Sequence, residues 1–228
     1  MSSRSEVTVT CPKCNNEHPF TMWRSINTQL DPEMRAAVKD RSAFLFECPT
    51  CGEKTYVDYG TLYHQMEDKI MIHYANSDEN AEEIYNMLKE DDPDGMGMFR
   101  SMREENYLIR IVRSQNELRE KINIFDAGLD DRIIEIIKLF LVAKYQEDHP
   151  GHQSIALYFR QEEDKGIIEI YADNQYAGNY VIPEGFYEDL SKQYEGKIPD
   201  MRKDEPFIDR QWAIENLNPD KKKERSAQ

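Results

Sequence analysis

Two short cysteine pairs with the same C-P-x-C pattern constrain this chain more than any other feature. Cys11 and Cys14 form the first pair, Cys48 and Cys51 form the second, and 33 residues lie between the pairs. Two residues between cysteines allow a tight turn in which both sulfurs face one ion, and the proline in each pair presets φ for that turn. Gly52, directly after the second pair, tolerates positive φ. The spacing therefore predicts one closed tetrahedral site with all four cysteines as metal ligands.

Three kinds of centre are consistent with two C-x-x-C pairs. We favour a structural zinc ribbon, because closed Cys₄ sites of this type most commonly hold Zn²⁺. A rubredoxin-like centre is one alternative, since iron accepts the same four thiolates. A thioredoxin-like redox pair is another, but it needs only one C-x-x-C, so the matched second pair argues against it. His18 is available as a spare ligand, although four thiolates already complete the shell and favour a surface role for it.

The composition of the chain narrows the classes of partner. Its 228 residues are 39% hydrophobic and 32% charged, which is typical of a soluble globular protein, and its net charge is −15. Nucleic-acid binding depends on cationic neutralisation of phosphates, so this charge disfavours nucleic acid and, for the same reason, an anionic membrane surface. The sequence has no apolar stretch typical of a signal peptide at its start. We therefore expect a cytoplasmic protein whose cysteines stay reduced.

The spacer between the pairs is longer than in compact zinc ribbons, where about 15 to 20 residues suffice. This length predicts an insertion. Asp31 before Pro32 indicates a helix start, with Asp31 as the N-cap and Pro32 in the first turn, followed by one or two turns in MRAAVKD. Residues 6–10 (EVTVT) and 43–47 (AFLFE) are typical of strands that lead into the first and second pair.

The CPKC and CPTC pairs with their long spacer resemble the CpXC domain, a bacterial and archaeal family with two C-P-x-C motifs. Residues 108–138 (LIRIVRSQNELREKINIFDAGLDDRIIEIIK) also resemble the region that follows the cysteines in this family. The resemblance covers roughly residues 7–140 and leaves the last third of the chain unassigned. It implies a metal-ligand role for the four cysteines and no catalytic residue.

The middle of the chain predicts strands followed by helices. Residues 54–75 indicate strands that break near Gly60 and at residues 66–68, and residues 107–113 indicate a further strand. Asn80 and Ser114 each begin a capping-box pattern, and Gly128 is the expected stop of the second helix. Asp130 or Asp131 is the expected cap of a longer helix to about residue 146, which has one narrow polar stripe and is therefore expected to lie in a core.

The last third predicts a small separate domain. Residues 154–160, 166–172 and 176–182 indicate an antiparallel meander, and residues 183–195 and 207–217 indicate helices that cover it. We expect a zinc-ribbon and helical domain over residues 5–148, an α+β domain over residues 152–217 and a disordered tail over residues 218–228. The predicted fold class is α+β, with an N-terminal zinc-ribbon-like β module that carries a helical insertion, a central helical segment and the C-terminal meander.

Two other stretches raise the question of a second metal site. His149 and His152 have no further ligands nearby in sequence, so we interpret them as a boundary turn. Residues 90–101 match a calcium loop loosely, but Ser101 stands where the bidentate glutamate belongs, which favours a solvated acidic turn. For Met96, Met98, Phe99 and Met102, packing onto the core is favoured over an adaptable surface.

The sequence contains no nucleophile elbow, phosphate-binding glycine loop or HExxH motif. It therefore favours a non-enzymatic zinc-binding protein that interacts with a protein partner. One alternative is an enzyme with a site between the helical middle and the C-terminal meander. A nucleic-acid-binding zinc ribbon and an iron-containing electron carrier are the others.

Overall fold

A computed structural model describes residues 2–89, 104–198 and 205–217 of the chain. The chain divides into two compact units, residues 1–119 and residues 120–228. Within the described ranges, none of the helices combines the length and the apolar character needed to cross a lipid bilayer. The strands and helices confirm the predicted α+β class, and the domain boundary that the sequence predicts at residues 149–151 stays a prediction.

A five-stranded mixed sheet forms the centre of the first unit. Its strands are β1 (Ser3–Thr10), β2 (Glu17–Asn27), β5 (Thr61–Gln65), β6 (Ile70–Tyr74) and β7 (Leu108–Val112), in that spatial order. The pairs β1–β2 and β5–β6 are antiparallel, whereas β2–β5 and β6–β7 are parallel. Every residue of β6 is buried, as expected for an inner strand covered on both faces. The long β1–β2 hairpin joins this sheet only through the last residues of β2.

A second, smaller hairpin belongs to the same unit. It consists of β3 (Leu45–Glu47) and β4 (Lys54–Tyr56), with a 3₁₀ turn at Ser42–Phe44 before it. The predicted insertion is present as helix α1, Glu33–Lys39. Its N-cap is Pro32, so the prediction of Asp31 is wrong by one residue. The reason is a tight first turn, in which the Asp31 carbonyl accepts the Met34 amide at 3.0 Å.

The caps of the next two helices follow the local sequence, with one correction. Helix α2 spans Asp78–Lys89 and begins before Asn80, because the Ser77 hydroxyl accepts the Asn80 amide at 3.1 Å and is the cap. Helix α3, Gln115–Asp126, begins as predicted, with the Ser114 hydroxyl accepting the Glu117 amide at 3.1 Å. Gly128 follows α3 with φ +68, the left-handed conformation expected of a helix stop.

Helix α4 (Asp131–Asp148) is the longest helix in the described residues. The Asp130 carboxylate caps it by accepting the Arg132 amide at 2.9 Å, as the sequence predicts. Residues 131–137 are all buried, including the charged ones, whereas Phe140 in the second half is 49% exposed. The predicted central helix is therefore continuously buried over its first two turns, whereas in its second half Val142 is buried among more exposed residues.

The rest of the second unit is a meander with helices, as predicted. Strands β8 (Ile155–Glu162), β9 (Lys165–Ala172) and β10 (Gln175–Val181) pair antiparallel in the order β10-β9-β8. The β9–β10 turn uses Asp173 and Asn174, both at positive φ, as two-residue hairpin turns require. Helices α5 (Phe186–Tyr194) and α6 (Arg210–Leu217) follow and bury Leu190, Trp212 and Ala213.

Three sequence predictions fall outside the described residues. The acidic loop that loosely matches a calcium site begins at residue 90, and the methionine-rich stretch follows it at residues 96–102. The polar tail at residues 218–228 is the third.

Candidate metal centre

The first cysteine pair lies in the turn between β1 and β2. The Cys11 amide donates to the Asn16 carbonyl at 2.9 Å, and the Asn15 amide donates to the Cys11 carbonyl at 3.0 Å. Asn15 has φ +58, a left-handed conformation that asparagine tolerates better than most residues. These contacts fold the CPKC segment into a compact knuckle.

The second pair, between β3 and β4, repeats this geometry residue for residue. The Cys48 amide donates to the Glu53 carbonyl at 2.8 Å, and the Gly52 amide donates to the Cys48 carbonyl at 2.9 Å. Gly52 has φ +70, as the sequence predicts, and occupies the position that Asn15 has in the first knuckle. Two hairpins thus present matched cysteine turns.

The four sulfurs converge between the two knuckles. The Sγ atoms of Cys11 and Cys51 are 3.6 Å apart, as are those of Cys14 and Cys48, and all four lie within 4.8 Å of one another. Tetrahedral coordination at a Zn–S distance of about 2.3 Å places sulfurs about 3.8 Å apart. A disulfide requires about 2.05 Å. The four thiols fit one tetrahedral metal ion, and the chemistry of the donor set favours a thiophilic one.

An apolar shell surrounds the buried side of this cluster. Cys11 and Cys48 are buried and pack with Phe46 in one cluster, against which Val9, Cys14, Phe20 and Val57 pack. Phe20 meets the Phe46 ring edge-on at a centroid distance of 6.4 Å, a favourable aromatic geometry. Cys51 is exposed. The cluster therefore has one dry side and one side open to solvent.

The thiols differ in acidity because each has different neighbours. The Cys14 backbone amide donates to the Cys11 sulfur and, against the opposing effect of burial, lowers the pKa of Cys11 to about 7. The Glu53 amide acts in the same direction on Cys51, but local desolvation of its sulfur and hydrogen bonds with the other three thiols raise the pKa of Cys51 to about 12. Four adjacent thiols cannot all ionise without a cation, so a bound metal ion would displace their protons.

The three histidines considered as metal ligands, His18, His149 and His152, lie outside the cysteine cluster. The His18 Nε2 atom lies 3.1 Å from the Thr50 hydroxyl, so His18 links the two knuckles as a neighbour of the cysteines. His149 ends α4, and His152 lies in the following turn with its Nδ1 atom 2.9 Å from the Asp173 carboxylate. In the described part of the chain, the metal-binding candidates converge at the four cysteines alone.

The charged residues of the knuckles are paired with one another. Lys13 of the first knuckle lies 3.1 Å from the Glu53 carboxylate beside the second, and Lys54 lies 3.2 Å from Glu47 across β3–β4. Both pairs are largely exposed, so each stabilises the fold by at most about 1 kcal/mol. Each pair neutralises the positive charge of a lysine that lies beside the cysteine cluster.

The second unit contains a network of five charged side chains, four of them buried and Lys138 partly buried, which was not predicted from the sequence. Lys121 Nζ lies 2.9 Å from Asp131 and 3.4 Å from Glu135, and Lys138 Nζ lies 2.9 Å from both Glu120 and Glu135. The local signal is the polar stripe of α4 at positions 131, 135 and 138, which the sequence shows as a narrow interruption of an otherwise apolar helix and does not connect with α3.

Backbone groups complete this network. The Glu120 carboxylate accepts the Phe159 amide of β8 at 2.6 Å, and Lys121 donates to the Ile208 carbonyl at 2.6 Å. Burial raises the pKa of Glu120 to about 7, although Lys138 opposes this shift. The network ties α3, α4, β8 and the segment before α6 together.

The second missed feature is a cavity of about 540 Å³ in the second unit. It is lined by the segment after α3, the β8–β9 turn, the end of β10 and the start of α5. Its polar lining consists of carboxylates, one lysine, one glutamine and Tyr187, whose hydroxyl accepts the Asp130 amide at 2.8 Å. No histidine, cysteine or serine lines the described part of this cavity.

Comparison with known proteins identifies the first part of the chain. The model of the family described as "CpXC protein" matches residues 9–138, more than half of the 228 residues and both cysteine knuckles. No curated protein and no solved structure gave a significant match. The resemblance seen in the CPKC and CPTC pairs is confirmed by this match, and the chain belongs to the CpXC family.

Proposed function

We propose that Cys11, Cys14, Cys48 and Cys51 bind one Zn²⁺ ion as a closed structural site, and that the protein is a non-enzymatic protein-interaction module. The observation that carries this proposal is the convergence of four sulfurs from two matched knuckles within 4.8 Å of one another. A metal with four protein ligands has no open position for water or substrate. Its contribution is to hold β1–β2 and β3–β4 together.

Zinc is preferred over iron on chemical grounds. Both metals accept four thiolates in tetrahedral geometry, but Zn²⁺ has no redox chemistry and is the usual ion of closed structural Cys₄ sites. Reduced thiols also need a reducing compartment, which supports a cytoplasmic location. An iron-containing electron carrier is the alternative at this site, and a coloured preparation would indicate it.

A protein partner is preferred because of the surface around the site. Tyr56, on β4 next to the second knuckle, is 48% exposed, and the Arg41 guanidinium lies 4.2 Å from its ring centroid. Exposed tyrosine and arginine are typical of protein–protein interfaces. Nucleic acid is disfavoured by the net charge of −15 and by the pairing of Lys13 and Lys54 with carboxylates. The absence of a nucleophile–base pair in the described lining of the cavity disfavours the enzymatic alternative.

Metal analysis of the purified protein tests the first half of the proposal. We expect one zinc per chain, a colourless solution, and a Cys48→Ser variant that loses both zinc and the melting transition of the first unit. Thr50→Ser, in the same knuckle but without a ligand sulfur, is the matched control and should keep both. An unchanged melting profile for Cys48→Ser would contradict a structural role for the ion.

A comparison of captured proteins tests the second half. Immobilised wild-type protein should retain a partner that Thr50→Ser also retains and Cys48→Ser does not. A partner bound equally by all three proteins would place the interaction away from the knuckles. Binding of a labelled DNA or RNA oligonucleotide at low salt, lost at high salt, would favour the nucleic-acid alternative.

A further inference from the structure

The floor of the cavity in the second unit depends on a glycine. A Cβ atom at Gly166 would lie 3.0 Å from the Phe159 ring and 3.2 Å from Ile182 Cδ1, so only glycine lets these two side chains pack at the floor without shifting. Phe159 is fully buried, and Ala127 and Leu129 add further apolar lining. At about 540 Å³, the cavity has the size of a typical ligand pocket and can take a large apolar side chain.

The wall of the cavity leaves apolar surface open to solvent. Val181, at the end of β10, lines the cavity and is 47% exposed, and Phe186, at the start of α5, is 37% exposed close by in sequence. Isolated exposed apolar residues are common, but here Val181 lines an apolar cavity and Phe186 lies between two lining residues, Gly185 and Tyr187. Burial of both by a partner would be favourable.

The mouth of the cavity carries an excess of negative charge. Asp164, Glu184 and Glu188 are exposed lining residues, and Lys165 is the single cation among the described lining residues. An apolar cavity with a negative mouth is complementary to an apolar group flanked by positive charge. Complementarity of this kind sets specificity and association rate.

We propose that this cavity docks a segment of a partner protein that places one large apolar side chain beside lysine or arginine residues. This inference rests on the proposed function, because it gives an interaction module a further docking surface, in the second unit. Binding at this surface should survive Cys48→Ser, unlike binding at the knuckles. The apolar side chain occupies the space above Phe159, Gly166 and Ile182. The flanking cations face Glu184 and Glu188.

Two occupants from the chain itself fit less well. Residues 218–228 include Lys221, Lys222, Lys223 and Arg225 but no large apolar side chain to fill the floor. A second copy of the chain brings a net charge of −15 to a negative mouth. A basic, apolar segment of another protein matches both properties of the cavity.

Binding of synthetic peptides to the full, metal-loaded chain tests this assignment. The probe is a fluorescein-labelled peptide of nine residues. Phenylalanine is at its centre with two arginines on each side, and glycine or serine occupies the remaining four positions. One control peptide replaces the phenylalanine with serine, and the other replaces every arginine with glutamate. We expect saturable binding by anisotropy, weakened about tenfold or more by either replacement, and amide NMR shifts at Gly166 and Ile182. No saturable binding of the probe would overturn the proposal.

Variants on the surface of the cavity locate the interaction. Glu188→Lys and Val181→Asn should each weaken probe binding about tenfold. Asp189→Lys and Ala177→Asn are matched controls, because both positions are exposed, lie on the same elements and do not line the cavity. Circular dichroism must show that all four variants stay folded. Equal effects of Glu188→Lys and Asp189→Lys would reveal nonspecific attraction and overturn the assignment.

Failure of this inference is distinguishable from failure of the proposed function. If the probe does not bind but a partner is captured in a zinc-dependent manner, the cavity assignment alone is wrong. If the probe binds at the cavity but zinc is absent from the protein, the metal proposal fails and the docking site stands. A concentration-dependent dimer that Val181→Asn abolishes would replace the partner segment with a second copy of the chain.

Discussion

The two compact units hold distant parts of the chain together by different chemistry. In the first, thiols separated by 34 and 40 residues meet across two knuckles and fit one metal ion. In the second, buried carboxylates and ammonium groups join α3, α4 and β8 without any metal ligand set. Under the proposed function an external ion completes the first arrangement, whereas the second consists only of side chains and backbone of the folded chain. The difference predicts that the units respond to different perturbations.

Removal of the metal is expected to give the largest effect and to separate the units. The apparent binding free energy of a structural zinc ion is about 10 to 16 kcal/mol near neutral pH, and it is available only to the folded site. A strong chelator should therefore abolish hydrogen-exchange protection in β3–β4 and the adjoining half of β1–β2. The amides of β8–β10 should keep their protection, because their contacts involve no thiol. Equal loss of protection in both units would contradict the expectation that only the first unit depends on the metal.

Removal of one cation from the buried network is expected to have the next largest effect. Lys121→Met removes the ammonium group that lies 2.9 Å from Asp131, while Glu135 keeps Lys138. Breaking such a buried pair costs about 3 to 5 kcal/mol. Urea unfolding followed by circular dichroism measures the change. Lys144→Met is the control, because Lys144 pairs with Asp148 on the exposed side of α4 and should contribute less than about 1 kcal/mol. Equal losses for the two variants would contradict a structural role for the network.

The network should also give the second unit a pH dependence. The folded protein keeps a proton on Glu120 up to about pH 7, whereas the unfolded chain releases it near its ordinary value of 4.5. Between these values the folded state binds more protons, so the free energy of unfolding falls as pH rises, by about 3 kcal/mol.

Comparison with a neutral variant isolates this contribution. In Glu120→Gln, which has no proton to release, the fall between pH 4.5 and pH 7 should be smaller than in the wild type. Urea midpoints of both proteins, measured with metal bound throughout, give the difference. Parallel pH profiles would show that Glu120 does not titrate in this range.

The backbone conformation of the knuckles should produce the smallest effect. Gly52→Ala adds a Cβ that meets no atom within 4 Å, so its cost is the left-handed backbone alone, about 1 kcal/mol. Gly52→Asn should cost less, because asparagine already occupies the matching position of the first knuckle at Asn15. Thermal melting of the two variants side by side gives the order. A larger loss for asparagine would show that the two knuckles are not equivalent.

The parts of the fold that sequence predicted correctly are those determined by neighbours in the chain. Ser114, Gly128 and Asp130 mark helix ends because a cap acts over three or four residues. The errors at Asp31 and Asn80 are also local, since the observed helix starts lie one residue later, at Pro32, and three residues earlier, at Ser77. Each knuckle is similarly local, with its hydrogen bonds closed within five residues.

Contacts between distant residues account for what sequence analysis missed. Residues 17–24 carry no signal that separates β2 from a loop, and the parallel pairing of β2 with β5 involves residues nearly forty positions apart. Glu120 and Lys138 look like ordinary surface charges until α3 and α4 pack. The cavity is assembled from four separate segments, so no single stretch of sequence contains it.

The sequence by itself identified the four clustered cysteines, the two knuckle turns and most of the helices and strands, because these depend on side-chain chemistry and short-range backbone geometry. Only the tertiary structure decided which sulfurs lie opposite each other, which charges are buried and where the cavity forms. Those properties depend on burial and on distances between segments that meet only after folding, and a linear pattern of residues does not encode them locally.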